Sequence, residues 1–296
     1  MSAVFGVGVV LTIGAWTWTL APWWAPPEGS EAAIDGRWET IEGWARPRLP
    51  AGTPVALFGV QAAIEAGDVE GAATRILEWD HDGGGLGEDP CIDDRISVFA
   101  LLDASKVAVA RADRPDAPSI AATLRLGAAL RDRGPTIASL VGIALYKIVL
   151  ARHVREGWTV TPLLEELRPR RGEIMPMVAR EAVCAVEWID GGLADGSLDP
   201  RELAEGRFER MIAALGVDRA RERQHLRAYL GERVERALAA QSPADVAAAL
   251  DAPPREQRPA SLATREVAGF LGASIEGIEV CLDEIDATLA DLESRS

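Results

Sequence analysis

Residues 79–94, WDHDGGGLGEDPCIDD, form the densest group of potential metal ligands in the sequence. Carboxylates among flexible glycines can bind Ca²⁺, but the EF-hand spacing is absent, because counting from Asp80 the fifth position is Gly84 and the twelfth is Cys91. A Zn²⁺ site would need His81, Cys91 and two remote ligands. The pattern therefore favours a solvated acidic loop that supplies an Asp N-cap to the next helix. The candidate metal ligands, should the loop bind a cation, are Asp80, Asp82, Glu88 and Asp89.

The three cysteines, Cys91, Cys184 and Cys281, are isolated, with no C-x-x-C pair. In an oxidising compartment they allow one disulfide and leave one thiol. Cys184 lies in the apolar helical stretch MVAREAVCAV. This setting favours a buried free thiol at Cys184.

Motifs for nucleophilic, phosphate-binding or zinc-dependent chemistry are missing. G-x-S-x-G and H-E-x-x-H do not occur, and the loop glycines lack the strand and the Lys-Ser/Thr of a phosphate loop. His153 and His225 lie on Arg-rich helical segments, so we expect them at the surface rather than as general bases. We predict no catalytic residue and no cofactor, with an all-α enzyme that has no recognisable motif as the alternative.

The N-terminal segment predicts a membrane anchor. Residues 3–21 carry no charge and would extend about 28 Å as a helix, close to the thickness of the bilayer hydrocarbon. Trp16, Trp18, Trp23 and Trp24 gather at its C-terminal end, and indole rings prefer the membrane–water interface. A cleaved signal peptide and a buried N-terminal helix are the alternatives. The absence of Lys or Arg before the apolar run, and of a suitable A-x-A site after it, favours an uncleaved anchor.

Charge predicts the orientation of this anchor and excludes one class of partner. Residues 28–45 hold five acidic residues against Arg37 alone, so no positive charge retains this flank in the cytoplasm. We therefore predict an extracytoplasmic body, with a cytoplasm-facing anchored regulator as the alternative. The whole chain has 31 basic and 46 acidic residues, a net charge of −15, which argues against binding to nucleic acid.

Apolar residues recur at helical spacing through the rest of the chain, without an alternating β-branched run. Ile34, Trp38 and Ile41, for example, follow Ser30, a candidate N-cap. The apolar run TIASLVGIALYKIVLA is interrupted by Lys147, which favours a buried core helix over a second span. Further helices are predicted at 54–66, 69–80, 96–113, 119–132, 173–190, 200–215, 218–240, 243–251 and 261–293.

The stretch AAIEAGDVEGAATRILEWDHDG resembles part of a tetratricopeptide repeat. Its alanines, its Gly67-Asp68 turn and Ala72 are placed as in such helix–turn–helix units. Residues 107–134 echo this stretch, with residues 113–116 in the turn. The resemblance implies antiparallel helical hairpins, and protein binding or scaffolding on a helical groove.

The last predicted helix carries a heptad seam, in which apolar residues alternate at spacings of four and three. Residues 261–296 have eight acidic and two basic residues, so an Arg-rich partner helix suits the seam. We expect that partner at 218–240, through Arg223 and Arg227, in preference to a homodimer zipper, because connected helices lose less entropy on pairing. The seam residues are Leu271, Ile275, Ile278, Leu282, Ile285, Leu289 and Leu292.

Together these patterns predict an all-α protein with an N-terminal transmembrane helix, stacked antiparallel helical hairpins and a C-terminal helical bundle with a long heptad helix. The predicted divisions are a membrane anchor with its Trp/Pro segment (1–27), a hairpin region (28–192) and the bundle (193–296). The predicted function is a single-pass, membrane-anchored extracytoplasmic protein. It would contact the lipid bilayer through residues 3–21 and bind or scaffold a protein partner.

Overall fold

The computed structural model describes residues 29–87, 91–93, 95–199, 218–251 and 272–295, together with residues 210 and 261. The predicted anchor at residues 3–21 lies outside these residues, as do most of the predicted helix at 200–215 and the start of the helix at 261–293. The described residues form helices and no strand, which confirms the all-α class for this part of the chain.

The described helices lie where the sequence predicts them, with two differences. The predicted helix at 54–66 divides into a 3₁₀ turn at Val55–Leu57 and a short helix, and a second short helix at Pro162–Glu166 was not predicted. A further 3₁₀ turn is at Arg171–Glu173. The helices are α1 (Glu31–Ala45), α2 (Val60–Glu65), α3 (Val69–His81), α4 (Val98–Ala110), α5 (Pro118–Arg133), α6 (Thr136–Glu156), α7 (Pro162–Glu166), α8 (Ile174–Asp195), α9 (Arg219–Ala239), α10 (Pro243–Leu250) and α11 (Gly272–Ser294).

Side-chain caps explain where several helices begin. The Ser30 hydroxyl accepts a hydrogen bond from the backbone N–H of Ala33 at 3.3 Å, so the predicted cap of α1 is confirmed. Asp68 caps α3 after a turn at Gly67, whose φ of +75° favours glycine. The expected Asp cap of α4 is wrong, because Ser97 accepts from Ala100 there at 3.3 Å.

The chain divides into two compact units, each assembled from three segments. The sequence predicts two consecutive regions, 28–192 and 193–296, and this division stays a prediction. The first unit comprises Met1–Trp38, Ala185–Arg233 and Ala252–Gly269; the second comprises Glu39–Cys184, Val234–Asp251 and Phe270–Ser296.

Arginines of α9 form ion pairs within the first unit. Arg219 and Arg223 both reach the carboxylate of Asp190, at 2.7 and 3.5 Å, and the hydrogen bond from Arg219 lowers the pKa of this carboxyl. Arg227 pairs with Asp35 at 2.9 Å and lies over the ring of Trp38. The α9 arginines therefore have acidic partners in this unit.

Helix α6 lies in the core of the second unit, where it packs against α4, α5 and α11. By length and composition, α6 is the one helix in the described part of the chain that could cross a membrane. Its most apolar 18 residues are 56% buried in the protein, and the buried Tyr146 hydroxyl donates to the carbonyl of Leu164 at 2.8 Å. These contacts favour the core-helix interpretation.

The described seam residues of α11 are all buried, from Ile275 to Leu292. The predicted partner is wrong, since α11 packs on α6 and α10, and its acidic side chains bind Lys147, Arg168 and Arg171. Arg171 by itself forms three ion pairs, with Glu279, Asp283 and Asp286. The acidic residues of α11 thus meet basic residues, but those of a different segment from the predicted one.

Candidate binding cleft

An open cleft with a volume of about 960 Å³ lies between two non-helical segments of the second unit. We call residues 51–54 with Phe58 the proline wall, and residues 86–87, 91–93 and Arg95 the cysteine wall. The volume falls in the range of small-molecule and peptide sites.

The two residues that lead into the proline wall, Arg48 and Leu49, are attached to the end of α5. Both oxygens of the Asp132 carboxylate accept from the backbone N–H of Arg48 at 2.9 Å, and one also accepts from Leu49 at 2.8 Å. Arg133 donates to the carbonyl of Leu49 at 3.1 Å. The sequence RPRLPAGTP has the composition of a break between helices, yet its Arg48 and Leu49 are hydrogen-bonded to α5.

Glycines bring the two walls together at their base. A Cβ atom on Gly85 would lie 2.0 Å from the backbone of Gly52, a distance that atoms cannot adopt. The N–H of Gly87 donates to the carbonyl of Gly52 at 2.9 Å, and the buried indole N–H of Trp79 donates to Gly85 at 2.9 Å. The glycines of the acidic loop thus permit close backbone packing.

A disulfide joins Cys91 of the cysteine wall to Cys184 of α8, with their Cα atoms 5.6 Å apart. The interpretation of Cys184 as a buried free thiol is wrong, because the fold brings together two half-buried cysteines that are 93 residues apart in sequence. Cys281 is the free cysteine.

Helix α8 is fixed by a buried arginine one turn before Cys184. The Arg180 guanidinium donates to the carbonyls of Gly134, at 3.1 Å, and Arg131, and so caps the C-terminal end of α5. Burial lowers the pKa of Arg180 to about 10, so the side chain stays charged at neutral pH. The carboxylate of Glu181 accepts from the backbone N–H of Thr136 at 2.7 Å, at the start of α6.

The lining of the cleft combines apolar side chains with exposed polar atoms in about equal measure. Its ionisable side chains in the described part, Asp93 and Arg95, pair with each other at 2.5 Å, and Arg95 also lies 4.1 Å above the ring of Phe58. Among the described residues, no hydrogen bond uses the backbone N–H of Ala51 or Thr53. The cleft therefore offers apolar surface and main-chain donors, without a convergent pair of acids or bases among the residues described.

The candidate metal ligands do not form a cluster in the described residues. The Asp80 carboxylate accepts from Arg125 at 2.8 and 3.0 Å, and Asp82 follows the last turn of α3. Glu88 and Asp89 lie outside the described residues. No group of three potential metal-ligating side chains occurs in the part of the chain that the structure describes.

Both histidines expected at the surface are buried. His153 is inaccessible, with Nδ1 3.0 Å from the carbonyl of Val149 and the ring edge-on to Trp158. Burial lowers the pKa of His153. His225 is 7% exposed. The surface prediction was wrong because arginines beside a histidine do not determine which side of a helix it occupies.

Sequence reasoning missed this cleft, since its proline wall has the composition of a linker and its cysteine wall that of a solvated loop. Comparisons with protein family models, with curated proteins and with solved structures found no match. The tetratricopeptide resemblance therefore has no support from a family model.

Proposed function

We propose that this chain is a membrane-anchored, extracytoplasmic helical protein that binds a segment of a protein partner in the cleft. The observation that carries the proposal is the Cys91–Cys184 disulfide. Disulfides form and persist in oxidising compartments and are rare in the cytosol, so the bond supports the extracytoplasmic orientation over the cytoplasm-facing one.

The anchor in this proposal is the uncharged segment at residues 3–21. Helix α6 also meets the length and composition of a span, but it packs against three helices and its Lys147 pairs with Glu284. We therefore assign α6 to the body of the protein and residues 3–21 to the bilayer.

The lining of the cleft favours binding over catalysis. Apolar side chains such as Ile92 and Phe58 can hold an apolar side chain of a partner, and the N–H groups of Ala51 and Thr53 can donate to its main chain. Acid–base catalysis would need titratable groups directed at a substrate, whereas Asp93 and Arg95 pair with each other.

Counting thiols tests the orientation. Cells are quenched with an alkylating reagent under denaturing conditions, before and after reduction, and the labels on the full chain are counted by mass spectrometry. We expect one label before reduction, on Cys281, three after it, and none before it in the Cys281→Ser control. Three labels before reduction, together with a C-terminal reporter active only in the cytoplasm, would refute the extracytoplasmic assignment.

Site-specific photo-crosslinking in the native host tests the cleft. A photoreactive residue at Ile92 should give a crosslink to a defined protein, and Thr53→Trp, which fills the cleft, should abolish it. Thr159→Trp is the matched control, because Thr159 is also exposed in the second unit but does not line the cleft. A crosslink that survives Thr53→Trp, or none from Ile92, would refute binding in the cleft.

A further inference from the structure

Residues 43–64 form a basic stretch in an acidic chain. They contain Arg46 and Arg48 and no acidic residue, although the whole chain has 46 acidic residues in 296. Both arginines are exposed, and neither side chain forms an ion pair or a hydrogen bond with the described residues. The exposed Arg111 and Arg125, by contrast, pair with carboxylates of α3. The guanidinium groups of the basic stretch are therefore available to an external anion.

Two large apolar side chains are exposed beside these arginines. Trp44 is 42% exposed and Leu49 is 39% exposed. The backbone N–H groups of Arg48 and Leu49 both donate to the carboxylate of Asp132, which holds the main chain at this point and leaves the two side chains in solvent. We call Trp44, Arg46, Arg48 and Leu49 together the Trp44 surface.

We propose that the Trp44 surface docks on the headgroup region of an anionic phospholipid bilayer; the proposal rests on the membrane anchor of the function proposed above. Guanidinium groups bind phosphate through charge-assisted hydrogen bonds, and basic residues are attracted to anionic lipids. Indole rings prefer the membrane–water interface, and an aliphatic side chain can enter the boundary between headgroups and acyl chains. Unpaired arginines next to exposed Trp and Leu side chains match both properties of this surface.

The position of the Trp44 surface in the chain favours a bilayer over a soluble acidic partner. Between the end of the predicted anchor at Ala21 and Trp44 there are 22 residues. A tether of this length keeps the surface at a high effective concentration near the bilayer, so that individually weak contacts are sufficient for docking. Each basic residue near an anionic surface favours the docked state by about fivefold, and two arginines therefore favour it by about 30-fold.

Fluorescence quenching in lipid nanodiscs tests the docking. A fluorophore is attached to Ala51→Cys in the full Cys281→Ser chain, because Ala51 is exposed and follows Leu49 by two residues without belonging to the Trp44 surface. The nanodiscs contain phosphatidylcholine and a lipid with a nitroxide quencher on its headgroup, with or without phosphatidylglycerol. We expect stronger quenching when phosphatidylglycerol is present, and loss of this difference at high salt.

Charge reversal provides the second arm of the test. Arg46→Glu/Arg48→Glu should lower the docked fraction in phosphatidylglycerol nanodiscs by about 30-fold or more. Arg114→Glu/Arg155→Glu is the matched control, because it makes the same change in net charge at two exposed arginines that already pair with acidic residues. Circular dichroism verifies that both double variants remain folded.

Equal quenching with and without phosphatidylglycerol, or quenching that survives reversal of Arg46 and Arg48, would overturn the proposal. A photo-crosslink from Leu49 to a protein in the native host, without lipid-dependent quenching, would assign the surface to a protein partner and would also overturn it. A chain that stays with nanodiscs of either composition but shows no lipid-dependent quenching would retain the anchor and lose the docking. If the chain binds only to phosphatidylglycerol nanodiscs, and Arg46→Glu/Arg48→Glu releases it, the docking surface stands and the anchor fails.

Discussion

Truncating Ile278 in the seam of α11 should destabilise the second unit strongly. The side chain is 2% exposed, and Ile278→Ala removes three carbon atoms from the contact with the body of the protein. At about 0.8 kcal/mol per buried carbon the transfer loss is about 2.4 kcal/mol. The space left behind raises the expected cost to about 3–4 kcal/mol, and the better helix propensity of alanine returns only about 0.5 kcal/mol.

Val280 provides the matched control, because it is on the same helix, is also β-branched and is 58% exposed. In Val280→Ala the two lost carbons are largely hydrated already, so the transfer loss of about 0.7 kcal/mol nearly cancels the gain in helix propensity. The two variants therefore separate burial from helix propensity.

Urea unfolding of the full chain in a mild detergent, followed by circular dichroism, measures both variants. Equal free energies of unfolding for Ile278→Ala and Val280→Ala would refute the burial of the seam. If the loss in Ile278→Ala instead depends on protein concentration, the seam packs against a second copy, and the contact of α11 with α6 is not the stabilising one.

Three further variants test other contacts. Arg171→Glu should weaken the attachment of α11 more than Arg223→Glu, because Arg171 faces three acidic side chains of α11; the difference in hydrogen exchange of α11 should shrink at high salt. Burial holds the pKa of His153 in the folded state below its unfolded value near 6.5, so the unfolded state binds more protons. The free energy of unfolding should therefore fall as pH drops below about 6.5. Urea unfolding between pH 7.5 and 5.5 should show a weaker dependence of this free energy on pH for His153→Leu. Gly85→Ala should lower the melting temperature, because its Cβ would overlap another backbone segment, whereas Gly172→Ala meets open space and should not.

Much of the local structure could be predicted because its determinants are close in sequence. The side chain of Ser30 caps a helix that begins at the next residue, and Leu282 shares the buried face of α11 with the seam residues three and four positions away. The first inference needs only the residue that precedes the helix, and the second needs only the helical period. The short α7 at Pro162–Glu166 was missed because a single turn has no period to detect.

Non-local contacts could not be predicted in the same way. Two Arg-rich segments, one around Arg171 and one on α9, could neutralise the acidic residues of α11. Charge alone does not distinguish Arg171 from Arg223. Cys184 has the apolar neighbours of a buried thiol, and only the folded chain shows that Cys91 reaches it. Burial of His153 depends on Trp158, beyond the end of its own helix.

The cleft was missed for a related reason. Glycine and proline in a sequence usually indicate a break between elements, but here Gly52 and Gly85 are contact residues whose missing side chains allow two backbones to meet. The sequence shows that Gly52 and Gly85 have no side chain, but it does not show which backbone segment occupies the space beside each of them.

The attachment of residues 48–49 to α5 affects how readily proteases can cleave the chain at this position. Cleavage requires several residues to leave the surface together and enter an active site in extended form. The bond between Arg48 and Leu49 is exposed and follows a basic residue, but the N–H groups of both residues are held by Asp132, and the carbonyl of Leu49 is held by Arg133. Trypsin should therefore spare this bond in the folded protein, and fragments designed to end there would lose the hydrogen bonds that order the proline wall.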